Sequence, residues 1–139
     1  MPLLYIAQSE YGHITRDAMQ EVADILGLEP TQVASVVGFY TLYHDHAAGK
    51  HYIQICNDLP CALRGADKFA ADLCARFGVK LGETTADGMF TIEGVMCLAA
   101  CDKAPMFQLQ NAEGIKYYEN QTVESAAAVM EELRAKTDQ

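Results

Sequence analysis

The sequence predicts an α/β protein in two parts: a small N-terminal helical bundle over 1–46, followed by an α/β sandwich over 47–139. Three observations carry this. From Pro2 to about His46 the apolar residues recur at helical spacing. Two β-rich runs, His51–Cys56 and Met89–Val95, then flank an amphipathic helix. Each run delivers one cysteine of a close pair, Cys56 with Cys61 and Cys97 with Cys101. Half of the 139 residues are apolar, enough for a core of ordinary size without disulfide staples.

Taken in order, Leu3, Leu4, Ile6 and Ala7 begin an apolar helical face that ends near Tyr11-Gly12, where glycine suits a helix C-terminus. Thr15 is placed to cap a second helix, with Asp17 in its first turn and Ala18, Val22, Ile25 and Leu26 at helical spacing up to Gly27. Glu29-Pro30-Thr31 opens a third, with Val33, Val36 and Val37 on its apolar side. Phe39, Tyr40, Leu42 and Tyr43 extend the apolar material and read as packing residues. His44–Lys50 reads as a polar, flexible connection and the best domain boundary. His44-Asp45-His46 offers imidazole and carboxylate, but no third ligand stands at a telling spacing, so it is not taken as a metal site.

His51 reads as an ordinary strand start. After Cys56, Pro60 and Cys61 open one helix, with Ala66, Phe69, Ala70, Leu73 and Phe77 on one face as far as Gly78. Cys74 lies within it and reads as a small apolar filler. Arg64, near its start, reads either as an electrostatic tuner of the cysteine site or as a surface residue. Glu83–Gly88 is a polar turn stretch. Met106–Gln110 and Ile115–Tyr118 form a hairpin around Asn111–Gly114, and Thr122 caps a last helix. This element order fits a sandwich of thioredoxin type, with functional loops at strand ends along one edge of the sheet.

The net charge of −9 repels nucleic acid and anionic membrane surfaces. No apolar run approaches membrane-spanning length and no signal-peptide pattern opens the chain, which leads to the expectation of a cytoplasmic or matrix-facing protein without direct membrane insertion. Thiols stay reduced there and available to metal. The scattered glycines form no G-x-G-x-x-G, so no dinucleotide-binding motif is present.

The cysteine pattern is C-x4-C-x35-C-x3-C, with Cys74 left over. Four thiols in two close pairs suit a tetrahedral-sulfur centre, iron–sulfur or zinc. The pairs lie within the loose spacing of zinc knuckles, yet such sites generally stabilise small domains that lack a core, which this segment does not. Thioredoxin-type dithiol chemistry needs C-x-x-C at a helix start, and none occurs. A 2Fe-2S cluster asks for two thiolates per iron, and two loops of two cysteines meet that demand.

The residues around those loops resemble the E-type, thioredoxin-like 2Fe-2S subunits of NADH-quinone oxidoreductase (respiratory complex I) and their counterparts in NAD-linked hydrogenases and formate dehydrogenases. The resemblance rests on Cys56-x4-Cys61 with Ala62-Leu63-Arg64-Gly65, on 82–91, and on Cys97-Leu98-Ala99-Ala100-Cys101 with Ala104-Pro105. Tyr117-Tyr118-Glu119, Tyr11-Gly12-His13-Ile14 and Val37-Gly38-Phe39-Tyr40 match as well, so it covers nearly the whole chain. Ala99 stands where family members usually carry glycine, and Asn57-Asp58-Leu59-Pro60 is less glycine- and threonine-like than the family pattern.

The resemblance implies a helical bundle joined to a thioredoxin-like 2Fe-2S ferredoxin domain. It implies that Cys56, Cys61, Cys97 and Cys101 bind one 2Fe-2S cluster. It further implies a partner flavoprotein that binds FMN and NADH and carries a 4Fe-4S cluster, within a larger respiratory or NAD-linked redox complex. In that assembly this chain exchanges single electrons with the flavin, and hydride transfer belongs to the partner. Its place would be the peripheral arm of a membrane complex, on the cytoplasmic side. A hydrogenase or formate dehydrogenase subunit, a stand-alone ferredoxin and a structural zinc module are the alternatives.

Overall fold

The computed structural model describes residues 1–137, so the last two residues of the expected second domain lie outside it. The chain divides into two compact units, Met1–Ala48 and Gly49–Gln139. The first holds three helices, α1 (Pro2–Tyr11), α2 (Arg16–Leu26) and α3 (Pro30–Phe39). Their limits follow the local chemistry. Gly12 and Gly27 end α1 and α2 in the left-handed conformation, at φ 75° and 66°. The Thr15 hydroxyl accepts the Ala18 amide at 3.1 Å, and Gln32 Oε1 accepts the Glu29 amide at 3.0 Å. Leu4, Ile14, Ala18, Val22, Val33, Val37 and Tyr43 form the core of this unit.

Two expectations for this unit are corrected. Phe39 is 78% exposed, so it does not extend the core. His44, expected in a flexible connection, is buried and fastened at both backbone groups. Its amide donates to Gln8 Oε1 at 2.8 Å, its carbonyl accepts the Ile14 amide at 2.7 Å, and Gln8 Nε2 reaches the Leu42 carbonyl at 2.9 Å. A single α1 glutamine thus bonds backbone groups of both Leu42 and His44.

The second unit is a five-stranded sheet in the order β2-β3-β1-β4-β5, from β1 (His51–Cys56), β2 (Glu83–Thr84), β3 (Phe90–Val95), β4 (Phe107–Asn111) and β5 (Gly114–Tyr118). The neighbours β1 and β3 run parallel, in a register that sets Cys56 beside Val95, and the other pairs are antiparallel. Helices α4 (Leu59–Leu63) and α5 (Ala66–Phe77) cross from β1 towards β3, and α6 (Val123–Thr137) closes the chain. The single helix expected from Pro60 to Phe77 is therefore two. Gly65, at φ 92°, breaks it, and the periodic apolar residues alone did not reveal that left-handed step. A second difference is β2, a short edge strand within the expected polar turn.

Burial separates the two faces of the sheet. Ile53, Ile55, Phe90, Ile92, Phe107 and Leu109 pack with Phe69 and Leu73 of α5 and Met130 of α6. Among the alternate residues Gln54, Thr91 and Gln108 are polar yet buried, and polar pairs form on that face. Gln108 Nε2 donates to Gln54 Oε1 at 2.8 Å, and the Tyr52 hydroxyl donates to Glu93 at 2.7 Å. Such pairing offsets the cost of burying amides and hydroxyls. As expected, Thr122 caps α6: its hydroxyl accepts the Ser125 amide at 3.1 Å, and Ser125 Oγ accepts the Thr122 amide at 2.9 Å. Among the described residues, no helix is long and apolar enough to cross a membrane.

A candidate metal centre at the ends of two parallel strands

Parallel neighbours point their C-terminal ends the same way, so β1 and β3 release their following loops side by side. Cys56 is the last residue of β1, and its thiol donates to the Met96 carbonyl at 3.0 Å, just past the end of β3. The Asn57 amide joins the Val95 carbonyl at 3.0 Å, so the two exits are stitched together. Asp58 then caps α4 by accepting the Leu59 amide at 2.9 Å, and Pro60 stands in the first turn. That short helix turns Cys61 inward. Beyond β3, Cys97 is exposed, and Cys101, partly buried, opens the single 3₁₀ turn Cys101–Lys103.

The four cysteines proposed from sequence thus occupy one end of the sheet, while Cys74 does not join them. Cys56 and Cys61 sit in an apolar pocket with Ala66, Val95, Leu98, Ala104 and Met106. The Cys61 thiol interacts with those of Cys56 and Cys101, and Cys101 interacts in turn with Cys97. Burial pushes the Cys61 thiol up to about 12, and the Cys56 and Cys101 thiols add to the rise. Burial also raises Cys101, with Cys97 adding to it. Burial disfavours the thiolate form, so metal binding at these thiols must release protons.

The donor set fits a sulfur-ligated centre. Among the described residues, no three His, Cys, Asp or Glu side chains gather tightly enough to hold a single ion. Instead Cys56, Cys61 and Cys101 interact with one another, and Cys97 interacts with Cys101. Four thiols at one end of the sheet suit a tetrahedral-sulfur centre, iron–sulfur or zinc.

The other residues singled out from sequence have structural places. Cys74 is buried in the main core, and burial alone raises its thiol. It borders a cavity of about 190 Å³ shared with Ile55, Asn57, Ala70 and Gly94. His51 is buried and stacks on Phe90 with 5.4 Å between ring centres, more than a strand start needs, and burial lowers its pKa. Asp45 holds His46 Nδ1 at 2.7 Å, the pair is exposed, and no third ligand joins it among the described residues. Arg64 Nε donates to the Ala104 carbonyl at 3.3 Å, which ties the end of the first cysteine segment to the exit of the second.

Two further residues shape the site, and the side-chain role of the first was not foreseen. Asn57 lies over Gly94, where an added Cβ would come within 2.8 Å of its side-chain nitrogen. The sequence signal was a glycine inside a β-rich run. Ala99 is left-handed at φ 56°, and its amide donates to Cys97 Sγ at 3.3 Å. Its signal was alanine standing where family members usually carry glycine.

Comparison with known proteins places this arrangement. The chain is 39% identical over 135 residues to an E-type NADH-quinone oxidoreductase subunit of Rhizobium meliloti, covering 97% of this chain and 78% of that protein. It is 36% identical to NADH-quinone oxidoreductase subunit 2 of Thermus thermophilus, covering 97% of this chain and 73% of the relative. It is 35% identical to the E-type NADH-quinone oxidoreductase subunit of Mycobacterium tuberculosis, over 99% of this chain but only 53% of that longer protein. In solved structures it superposes on part of an NAD+-reducing NiFe-hydrogenase in the air-oxidized state, with a TM-score of 0.75. That match has 20% identity and covers 99% of this chain and 24% of the other, so it bears on the fold. Residues 1–134 match the family described as thioredoxin-like 2Fe-2S ferredoxin, and the chain belongs to that family.

Proposed function

We propose that this chain is the 2Fe-2S electron-transfer subunit of an NADH dehydrogenase module. Cys56, Cys61, Cys97 and Cys101 would hold one 2Fe-2S cluster. The observation that carries this reading is the gathering of four cysteines beyond the ends of β1 and β3, three of them interacting with one another and Cys97 with Cys101, in a chain of this family. Relatives along nearly the full length are named as subunits of NADH-quinone oxidoreductase, which supports membership of a larger redox complex.

A bound 2Fe-2S cluster supplies a one-electron store. The chain's own residues do the rest. The apolar pocket of Ala66, Val95, Leu98, Ala104 and Met106 keeps water from the Cys56 and Cys61 sulfurs. Cys97, on the exposed side, gives the shortest path to a partner's redox group. Leu59, Leu63 and Met96, within or beside the cysteine segments, are 69%, 80% and 74% exposed. Large apolar groups open to water beside a redox site suit a protein partner more than a freely diffusing role. We assign that partner as the flavoprotein that binds FMN and NADH and carries a 4Fe-4S cluster, so hydride transfer takes place there and this chain has no catalytic residue of its own. The complex's position on the cytoplasmic side of a membrane belongs to the same proposal.

The test is iron, zinc and acid-labile sulfide on anaerobically purified protein, with an EPR spectrum after dithionite reduction. About two irons and two sulfides per chain with an S = 1/2 signal are expected. About one zinc without sulfide would replace the electron-transfer reading with a metal-stapled interaction module.

A further inference from the structure

The second cysteine segment contains a backbone conformation that the ligand set alone does not require. Among the described residues only Ala99 and Asn120 are non-glycine residues with positive φ, at 56° and 49°. Asparagine visits that region readily, whereas the alanine Cβ meets steric opposition there. Ala99 is held there from both sides. Before it, Leu98 is buried in the apolar pocket with Cys56 and Cys61. After it, the Lys103 amide bonds the Ala100 carbonyl at 3.0 Å and fixes the 3₁₀ turn that begins at Cys101. The chain must reverse between these anchors, and it does so at Ala99. The reversal aims the Ala99 amide at Cys97 Sγ, 3.3 Å away.

We propose that Ala99 is a positioning residue whose left-handed backbone donates its N–H to the Cys97 sulfur and thereby raises the reduction potential of the centre. The inference rests on the assignment of Cys97 as a cluster ligand. Reduction makes ligand sulfur more negative, so an N–H fixed on that sulfur favours the reduced form. Cys97 is the exposed member of the set, and there a fixed donor replaces a mobile water as hydrogen-bond partner. Glycine would hold the same turn without strain but with a less restricted loop.

The experiment compares the anaerobically loaded full chain with A99G and A99V. Each is reduced, tested for a nitrogen-15 amide coupling by pulsed EPR, and titrated for its midpoint potential by redox-poised EPR. In A99G the coupling should leave the alanine label and reappear with a glycine label, at unchanged potential. Valine, β-branched and disfavoured at positive φ, should turn the amide away and lower the potential. Because the glycine label needs no disruptive substitution, that arm stands even if A99V fails to load. No coupling in glycine-labelled A99G, or a loaded A99V at the wild-type potential, overturns the role of Ala99 while leaving the cluster in place. A wild-type chain without any S = 1/2 signal overturns the cluster assignment itself, and this inference with it.

Discussion

Five cysteines of one chemistry have two different fates, and the difference is set by position rather than by exposure. Cys61 and Cys74 are both buried, and burial raises both thiols. Cys61 has other thiols as neighbours, while Cys74 has Leu73, Phe69 and the apolar sheet face. Cys61→Ala should therefore abolish iron and sulfide binding, whereas Cys74→Ala should retain the full complement, measured on identically loaded samples. Cys74→Ala enlarges the neighbouring cavity by one sulfur, with an expected cost of about 1 kcal/mol in urea unfolding. Loss of iron from Cys74→Ala would give that thiol a role in the site. The pairing was legible because C-x4-C and C-x3-C spacings survive in one dimension. The Arg64 bond to the Ala104 carbonyl was not, because its partner stands forty residues away and is a backbone group.

The turn from Thr85 to Gly88, between β2 and β3, is tied to α6 by one carboxylate. Asp87 accepts from the Thr85 hydroxyl and from the Met89 amide at 3.1 Å, and its other oxygen lies 2.6 Å from Arg134. The Thr85 hydrogen bond first, then the Met89 amide and Arg134, hold its carboxyl below the ordinary 3.8. A carboxyl with a depressed folded pKa binds fewer protons folded than unfolded in that interval. Its stabilisation is complete above 3.8 and is lost as pH falls through the lower folded value. Asp87→Asn should thus be clearly less stable than the parent at neutral pH and closer to it near about pH 3, compared by urea midpoints. An equal gap at both pH values would remove Asp87 from the acid response. At this scale the helix caps and β-runs were legible, since Thr15, Thr122 and the β-branched residues act locally. The break at Gly65 and the two residues of β2 were not: one is a left-handed step inside a continuous apolar period, and the other is defined only by its pairing with β3.

Each compact unit has its own apolar core, Leu4 to Tyr43 in Met1–Ala48 and Ile53 to Met130 in Gly49–Gln139, and all four candidate ligands lie in the second. The helical spacing before residue 46 and the β-rich runs after residue 50 were visible in one dimension. The way His44 is drawn back by Gln8 was not, since it depends on an amide 36 positions away. The ligand pocket is lined by residues from Cys56 to Met106, so a fragment beginning at Gly49 should fold and take up about two irons and two sulfides. Its length lies above that at which single domains usually require staples. The fragment should also give the same reduced EPR signal and midpoint potential as the full chain, because the four candidate ligands and the Ala99 to Cys97 bond lie wholly within it. A folded fragment that takes up no iron, while the full chain does, would show that the helical unit contributes to the site. A loaded fragment that no longer binds the flavoprotein would instead assign the helices to docking.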